Sequence, residues 1–185
     1  MLFRSGTGYI IQPPVYPPFY KVEELSKIPV CEAPLVFDKE KGYKIDFEAF
    51  KKKLSPEIGV FLLCNPHNPV GRVFSRDELE KLASLCIEKG VYICSDEIHS
   101  DLVYNGFRHY PIASLGKEIS GKTITLMAPS KTFNIAGLGC SFAVIQNKDL
   151  LDRFLRARRG LVSDVNILGL VAAKAAYKMC EPWLN

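Results

Sequence analysis

The sequence predicts an α/β domain built on a mostly parallel sheet with helices on both faces, and three observations carry that expectation. Short apolar runs alternate with amphipathic segments along the chain, the pattern of strands separated by helices. The run from Ile58 to Cys64 is apolar throughout and is bounded by Pro56 and by Asn65-Pro66, as a strand covered on both faces of a parallel sheet requires. Ser75-Arg-Asp-Glu78 then opens a helix with a capping box, in which hydroxyl and carboxylate each take a backbone N–H of the first turn. Parallel strands joined by helices use right-handed crossovers and place ligand sites just beyond their carboxyl ends.

The first apolar run, Tyr9 to Gln12, is closed by the proline-rich stretch Pro13 to Pro18. Neither a helix interior nor a central strand absorbs such a stretch, so an ordered loop is expected. A short helix follows, then a strand over Ile28 to Val36, a turn at Lys41-Gly42, and a helix from Asp46, its N-cap, to Leu54 with Phe47 and Phe50 on one face. The helix opened by Ser75 runs to Lys89, with Leu79, Leu82, Leu85 and Cys86 on one stripe and Gly90 as its stop. Val91 to Cys94, Thr123 to Met127 and Leu138 to Ile145 read as further strands. The tail from Lys148 reads as two helices broken near Gly160.

Of the 185 residues 48% are hydrophobic and 24% charged, a balance that excludes disordered, collagenous and fibrous chains. The net charge of +4 is spread without a basic tail. Its densest cluster, Arg153, Arg156, Arg158 and Arg159, falls at helical spacing beside Phe154 and Leu155 and reads as a solvated or subunit-facing surface rather than a nucleic-acid site. The cysteines, Cys31, Cys64, Cys86, Cys94, Cys140 and Cys180, form no Cys-x-x-Cys pair and read as buried, reduced thiols of a cytoplasmic protein. No run of about 18 apolar residues occurs, and the opening from Met1 to Gly8 lacks the apolar core of a signal peptide. Neither membrane insertion nor export is expected.

The polar motifs cluster at the strand ends. Asn65-Pro-His-Asn-Pro-Val-Gly71 follows the strand ending at Cys64; it reads either as an ordinary strand-to-helix turn or as a rigid segment holding the Asn68 amide towards a ligand. Ser95-Asp-Glu-Ile-His-Ser-Asp101 is an acidic burst after a buried strand. Asp96, Glu97, His99 and Asp101 lack the spacing of a metal shell, so no metal is expected. Asp96 there is either a helix cap or the partner of a cationic ligand nitrogen. Ala128-Pro-Ser-Lys-Thr-Phe-Asn134 puts Lys131 at a third strand end beside Ser130 and Thr132, either as an exposed loop lysine or as an amine desolvated to attack a carbonyl. Ile135-Ala-Gly-Leu-Gly139 offers small residues for a close backbone approach, without the pattern of an ATP phosphate loop. Together, an amide, a carboxylate and a lysine at successive strand ends suit pyridoxal 5'-phosphate. That cofactor needs an amine for its aldehyde, a carboxylate for its ring nitrogen and a donor beside its phenolate oxygen.

At these three motifs, Asn-Pro-His-Asn-Pro-Val-Gly, Ser-Asp-Glu-Ile-His-Ser-Asp-Leu and Ser-Lys-Thr-Phe-Asn-Ile-Ala-Gly-Leu, the chain resembles the fold-type I, aminotransferase-like pyridoxal-phosphate enzymes. Within them it resembles most the branch of cystathionine β-lyases and MalY/PatB-type C-S lyases. The resemblance implies that Lys131 binds the cofactor aldehyde and, once released by substrate, takes the α-proton. It implies that Asp96 partners the ring nitrogen, Asn68 the phenolate oxygen and Ser130 the phosphate. Ile98 would lie under the ring and Tyr16 over its other face, with aromatic core packing as the alternative for Tyr16. His99 stands where many aminotransferases carry a tyrosine and would lie behind the first layer or on the phenolate side.

Against the family pattern, an N-terminal stretch with a phosphate-binding glycine loop is missing, as is a C-terminal small domain that supplies an arginine for the substrate carboxylate. Ala128 replaces a serine common on the phosphate. Residues 1–185 are therefore expected to form an incomplete central cofactor-binding domain, with 148–185 leading towards the small domain, and to be inactive alone. The activity implied is α,β-elimination on a sulfur amino acid such as cystathionine or cysteine in a longer enzyme. Transamination and a non-catalytic cofactor-binding module are the alternatives. A homodimer is implied, and the apolar Ile167 to Ala176 helix face fits an interface or a core equally.

Overall fold

The computed structural model describes residues 7–104 and 106–184. The opening residues 1–6, residue 105 and Asn185 lie outside them, so the signal-peptide expectation on the opening has no structural counterpart here. Strand β1 (Gly8–Ile11) is followed by α1 (Pro18–Ser26) and β2 (Val30–Glu32), then by the hairpin of β3 (Val36–Asp38) and β4 (Gly42–Lys44) and by α2 (Phe47–Lys53). Next come β5 (Ile58–Cys64), α3 (Arg76–Glu88), β6 (Tyr92–Asp96), a 3-10 turn (Ile112–Leu115), α4 (Lys117–Gly121) and β7 (Thr123–Met127). The short α5 (Pro129–Thr132), a second 3-10 turn (Ala136–Leu138), β8 (Phe142–Val144), α6 (Lys148–Arg158), α7 (Ile167–Met179) and α8 (Glu181–Leu184) complete the order.

Six strands form one sheet in the order β2-β1-β5-β6-β7-β8. All neighbours run parallel except β7 and β8, which are antiparallel. Strand β5 is the hydrophobic centre. Phe61 and Leu63 face a core made with Phe50 of α2 and with Leu79, Leu82 and Cys86 of α3, and the Phe50 and Phe61 rings meet edge-on at 4.9 Å. The alternate residues Val60 and Cys64 face a smaller cluster with Tyr9, Ile11, Val15 and Phe19 of α1. Arg153 of α6 covers the same side, its guanidinium 5.6 Å from the Tyr92 ring centre. Helices thus lie on both faces.

The helix signals hold in detail. Asp46 accepts from Ala49 N at 2.9 Å, and both halves of the Ser75–Glu78 capping box are formed. Gly90, at φ 71°, takes the left-handed conformation that ends α3. Three expectations are corrected. The strand expected over Ile28 to Val36 stops at Glu32, because Pro13 follows β1 without an N–H for the next rung, although Ala33 N and Leu35 N still reach Ile11 O and Pro13 O at 2.9 and 2.7 Å; the turn at Lys41-Gly42 joins the separate β3–β4 hairpin. The strand expected over Leu138 to Ile145 is only Phe142–Val144, since Leu138 ends a 3-10 turn and Gly139 is left-handed at φ 59°. The tail carries three helices, the last of four residues.

The close backbone approach expected at Ile135–Gly139 is made from the other side. A Cβ on Gly169 of α7 would sit 2.5 Å from the Leu138 carbonyl oxygen, whereas Gly137 has open space. A core reading of the Ile167–Ala176 face holds for Ala176 but not for Ile167, Leu168, Leu170 and Val171, which are exposed. All six cysteines are free, but only Cys64 and Cys86 are fully buried; the other four are half-buried. In the arginine cluster, Arg158 pairs with Asp164 at 2.6 Å. Among the described residues no helix is long and apolar enough to cross a membrane.

Candidate active site

Strands β5, β6 and β7 are parallel neighbours, so their carboxyl ends emerge side by side. The register sets Cys64 opposite Asp96 and Asp96 opposite Leu126, and these three side chains leave the sheet on the α1 side. There a cavity of about 140 Å³ is lined by Tyr16, Cys64, Asn68, Asp96, Ile98, His99 and Lys131. Six of the seven residues singled out in the sequence therefore surround one space. Ser130 does not line it, although it adjoins Lys131 within α5. A larger cavity of about 560 Å³ shares Asn68 and His99 with the first and extends to Arg72, Leu102, Tyr104 and Phe107.

Each strand-end segment is tied down. Asn65 N donates to Asp96 O at 3.0 Å, and the Asn65-Pro66 and Asn68-Pro69 bonds are cis. The buried His67 bridges from Nε2 to Pro14 O at 2.9 Å, binding the Asn68 loop to the stretch that carries Tyr16. Pro14 O can only accept, so Nε2–H is the donor in that bond, and burial lowers the His67 pKa. Thr132 donates from Oγ1 to Asp101 Oδ2 at 2.9 Å, which anchors the helix of Lys131 to the loop after β6.

Asp96 is the electrostatic focus. Its Oδ1 accepts from Ile98 N at 3.2 Å, and among the described residues no ion pair reaches it. Burial raises its pKa, with the Ile98 bond pulling the other way. Beside it, burial pushes the Cys64 thiol up to about 11, so this side chain stays a neutral thiol at the cavity wall. Sequence reasoning missed Cys64 as a lining residue; its place as the last residue of β5, in register with Asp96, was the available signal. The acidic burst is split by the strand's alternation. Glu97 turns to the other side of the sheet end, where Ser95 Oγ and His109 Nε2 bond it at 2.8 Å each. Among the described residues no three His, Cys, Asp or Glu side chains gather as metal ligands. An amine, an amide and a carboxylate that forms no ion pair among the described residues, around one cavity, suit a ligand with an electrophilic carbon, an oxyanion and a basic ring nitrogen.

Residues 1–179 match the family "Aminotransferase class I and II". Cystathionine beta-lyase PatB of Bacillus subtilis is 44% identical over 184 residues, covering 98% of this chain and 47% of that protein. Protein MalY of Escherichia coli is 36% identical over 98% of this chain and 46% of its own length. The crystal structure of cystalysin from Treponema denticola, described as containing a pyridoxal 5'-phosphate cofactor, superposes with a TM-score of 0.94 at 37% identity, over 99% of this chain and 47% of that one. The chain spans about half the length of the curated relatives it matches. With nearly its whole length matched, the chain belongs to the aminotransferase class I and II family.

Proposed function

We propose that this chain is the cofactor-binding centre of a pyridoxal 5'-phosphate-dependent C-S β-lyase acting on a sulfur amino acid such as cystathionine or cysteine. The observation that carries the cofactor is Asp96. A carboxylate at a cavity wall, raised in pKa by burial and in no ion pair among the described residues, is left unfavourable by the protein alone and would be satisfied by a protonated ring nitrogen. Lys131 and Asn68 on the same cavity suit the aldehyde and the phenolate oxygen, and Tyr16 and Ile98 suit the two ring faces. His99 would sit on the phenolate side and Ser130 towards the phosphate.

When bound, the cofactor supplies an electron-withdrawing ring that stabilises negative charge at the substrate's Cα. Asp96 keeps the proton on the ring nitrogen, and Asn68 donates to the oxygen. Lys131, whose amine would hold the cofactor aldehyde, would be the base that takes the substrate's α-proton. The charge so stabilised would let the β-sulfur leave as thiolate with the Cβ–S electron pair. The unsaturated amino acid that remains adds water and yields pyruvate and ammonia. The lyase names of PatB and cystalysin's carriage of the same cofactor support this choice; the family's name supports transamination as the second reading. A chain of this class would act as a homodimer in the cytoplasm, with residues 148–185 leading towards a second domain. The exposed Ile167, Leu168, Leu170 and Val171 suit a partner surface.

The test is to incubate the protein, at its relatives' full length, with cystathionine and cofactor but no 2-oxo acid. Release of pyruvate and ammonia supports the lyase; turnover only when a 2-oxo acid is added supports the transaminase instead.

A further inference from the structure

We propose that His109 is a positioning residue for the strand-end cavity: held as its Nε2–H tautomer between Glu97 and Asn65, it fixes the two segments that deliver Asp96 and Asn68. The link to cofactor binding rests on the function proposed above; the positioning itself does not.

Glu97 and His109 are buried behind the cavity, their side chains 1% and 7% exposed, and neither lines it. A buried carboxylate is tolerated only with its lone pairs occupied. Glu97 meets that need with Ser95 Oγ at 2.8 Å and Ile112 N at 3.2 Å on Oε1, and His109 Nε2 at 2.8 Å on Oε2. The far side of the imidazole faces Asn65, whose Nδ2 lies 3.4 Å from Nδ1. The orientation of that amide follows from Phe74, whose N–H donates to Asn65 Oδ1 at 2.9 Å. The amide nitrogen therefore points at His109, Nδ1 must accept, and the ring proton sits on Nε2 facing Glu97.

The circuit closes through the backbone. Asn65 N bonds Asp96 O at 3.0 Å, Ser95 and Glu97 flank Asp96, and Asn65 opens the turn that carries Asn68. One imidazole thus joins the ends of β5 and β6 at the height of the cavity. Ordinary structural burial would require only that Glu97 be satisfied; here the tautomer matters, because its reversal sets donor against donor at Asn65.

Glu97→Gln tests this. Its oxygen keeps Ser95 and Ile112, but its amide N–H₂ faces Nε2, moving the ring proton to Nδ1 and against the Asn65 amide. Adding Asn65→Asp restores an acceptor there, one carboxylate oxygen for Phe74 N and the other for His109 Nδ1–H. Ring-nitrogen NMR of His109 and amide hydrogen exchange at Asn68, Asp96 and Ile98 are read without cofactor, and pyridoxal-phosphate retention is read separately. Wild type should show a protonated Nε2 and a bare Nδ1. Glu97→Gln should speed exchange and weaken retention by about tenfold each, as for loss of one charge-assisted hydrogen bond. The double variant should reverse the tautomer and recover both readouts.

The proposal is overturned if wild type carries the proton on Nδ1, if Glu97→Gln leaves exchange unchanged, or if the double variant is no better than the single one. Should Glu97→Gln not fold, a folded double variant supports the circuit and an unfolded one counts against it. If wild type fails to retain cofactor while tautomer and exchange behave as stated, the cofactor reading falls and the positioning role stands.

Discussion

Replacing Asp96 by asparagine separates the cost of this carboxylate from its use. Asparagine keeps the shape and the Oδ1 that accepts from Ile98 N at 3.2 Å, but removes the charge that burial disfavours. A carboxyl whose folded-state pKa is raised keeps its proton in the folded chain at pH values where the unfolded chain has lost it. Stability therefore falls as pH rises through the folded-state pKa and stays lower above it. Above that pKa the wild type bears this cost in full. With one of its oxygens already bonded, the expected relief is at the low end for an uncompensated buried group, about 1 kcal/mol. Urea unfolding of the cofactor-free chain should show Asp96→Asn the more stable near neutrality, with the difference vanishing in acid, while retention of pyridoxal phosphate drops. An asparagine variant destabilised by a similar amount at neutral pH would refute the reasoning, making Asp96 a structural anchor.

Gly169→Ala would place its Cβ 2.5 Å from the Leu138 carbonyl oxygen, so α7 must shift at a cost of about 1–3 kcal/mol, seen as a lower urea midpoint. Cys64, a buried thiol pushed up to about 11, should resist maleimide in the folded chain at neutral pH and label only as the chain unfolds, followed by peptide mapping. Tyr16 is 43% exposed at the cavity rim; Tyr16→Phe should retain pyridoxal phosphate nearly as wild type and Tyr16→Ala about tenfold less, measured by fluorescence titration, as loss of one stacked ring implies.

Elements whose pattern and punctuation agree were legible to within a residue or two. Strand β5 is an unbroken apolar run between prolines, α3 a capped amphipathic stripe, and α2 starts on the aspartate that caps it. What escaped depends on distant partners. The β3–β4 hairpin exists because Val36 pairs with Lys44, a choice Ala33-Pro34-Leu35 does not announce, and β8 runs against β7 although its residues read like any short buried strand. In the site, Asn68, Asp96 and Lys131 were visible because strand ends bring unusual polar residues together. Cys64 and His109 were not: one looked like core, and the other reaches Glu97 across 12 residues of irregular chain with no periodicity to mark it.

The most direct measurement is to mix the chain with pyridoxal phosphate, reduce with borohydride and map the modified lysine by peptide mass. Selective modification of Lys131 over the surface lysines, abolished by Lys131→Ala, is the predicted result. Adducts spread evenly over the lysines of the folded wild-type chain would contradict the account at its centre.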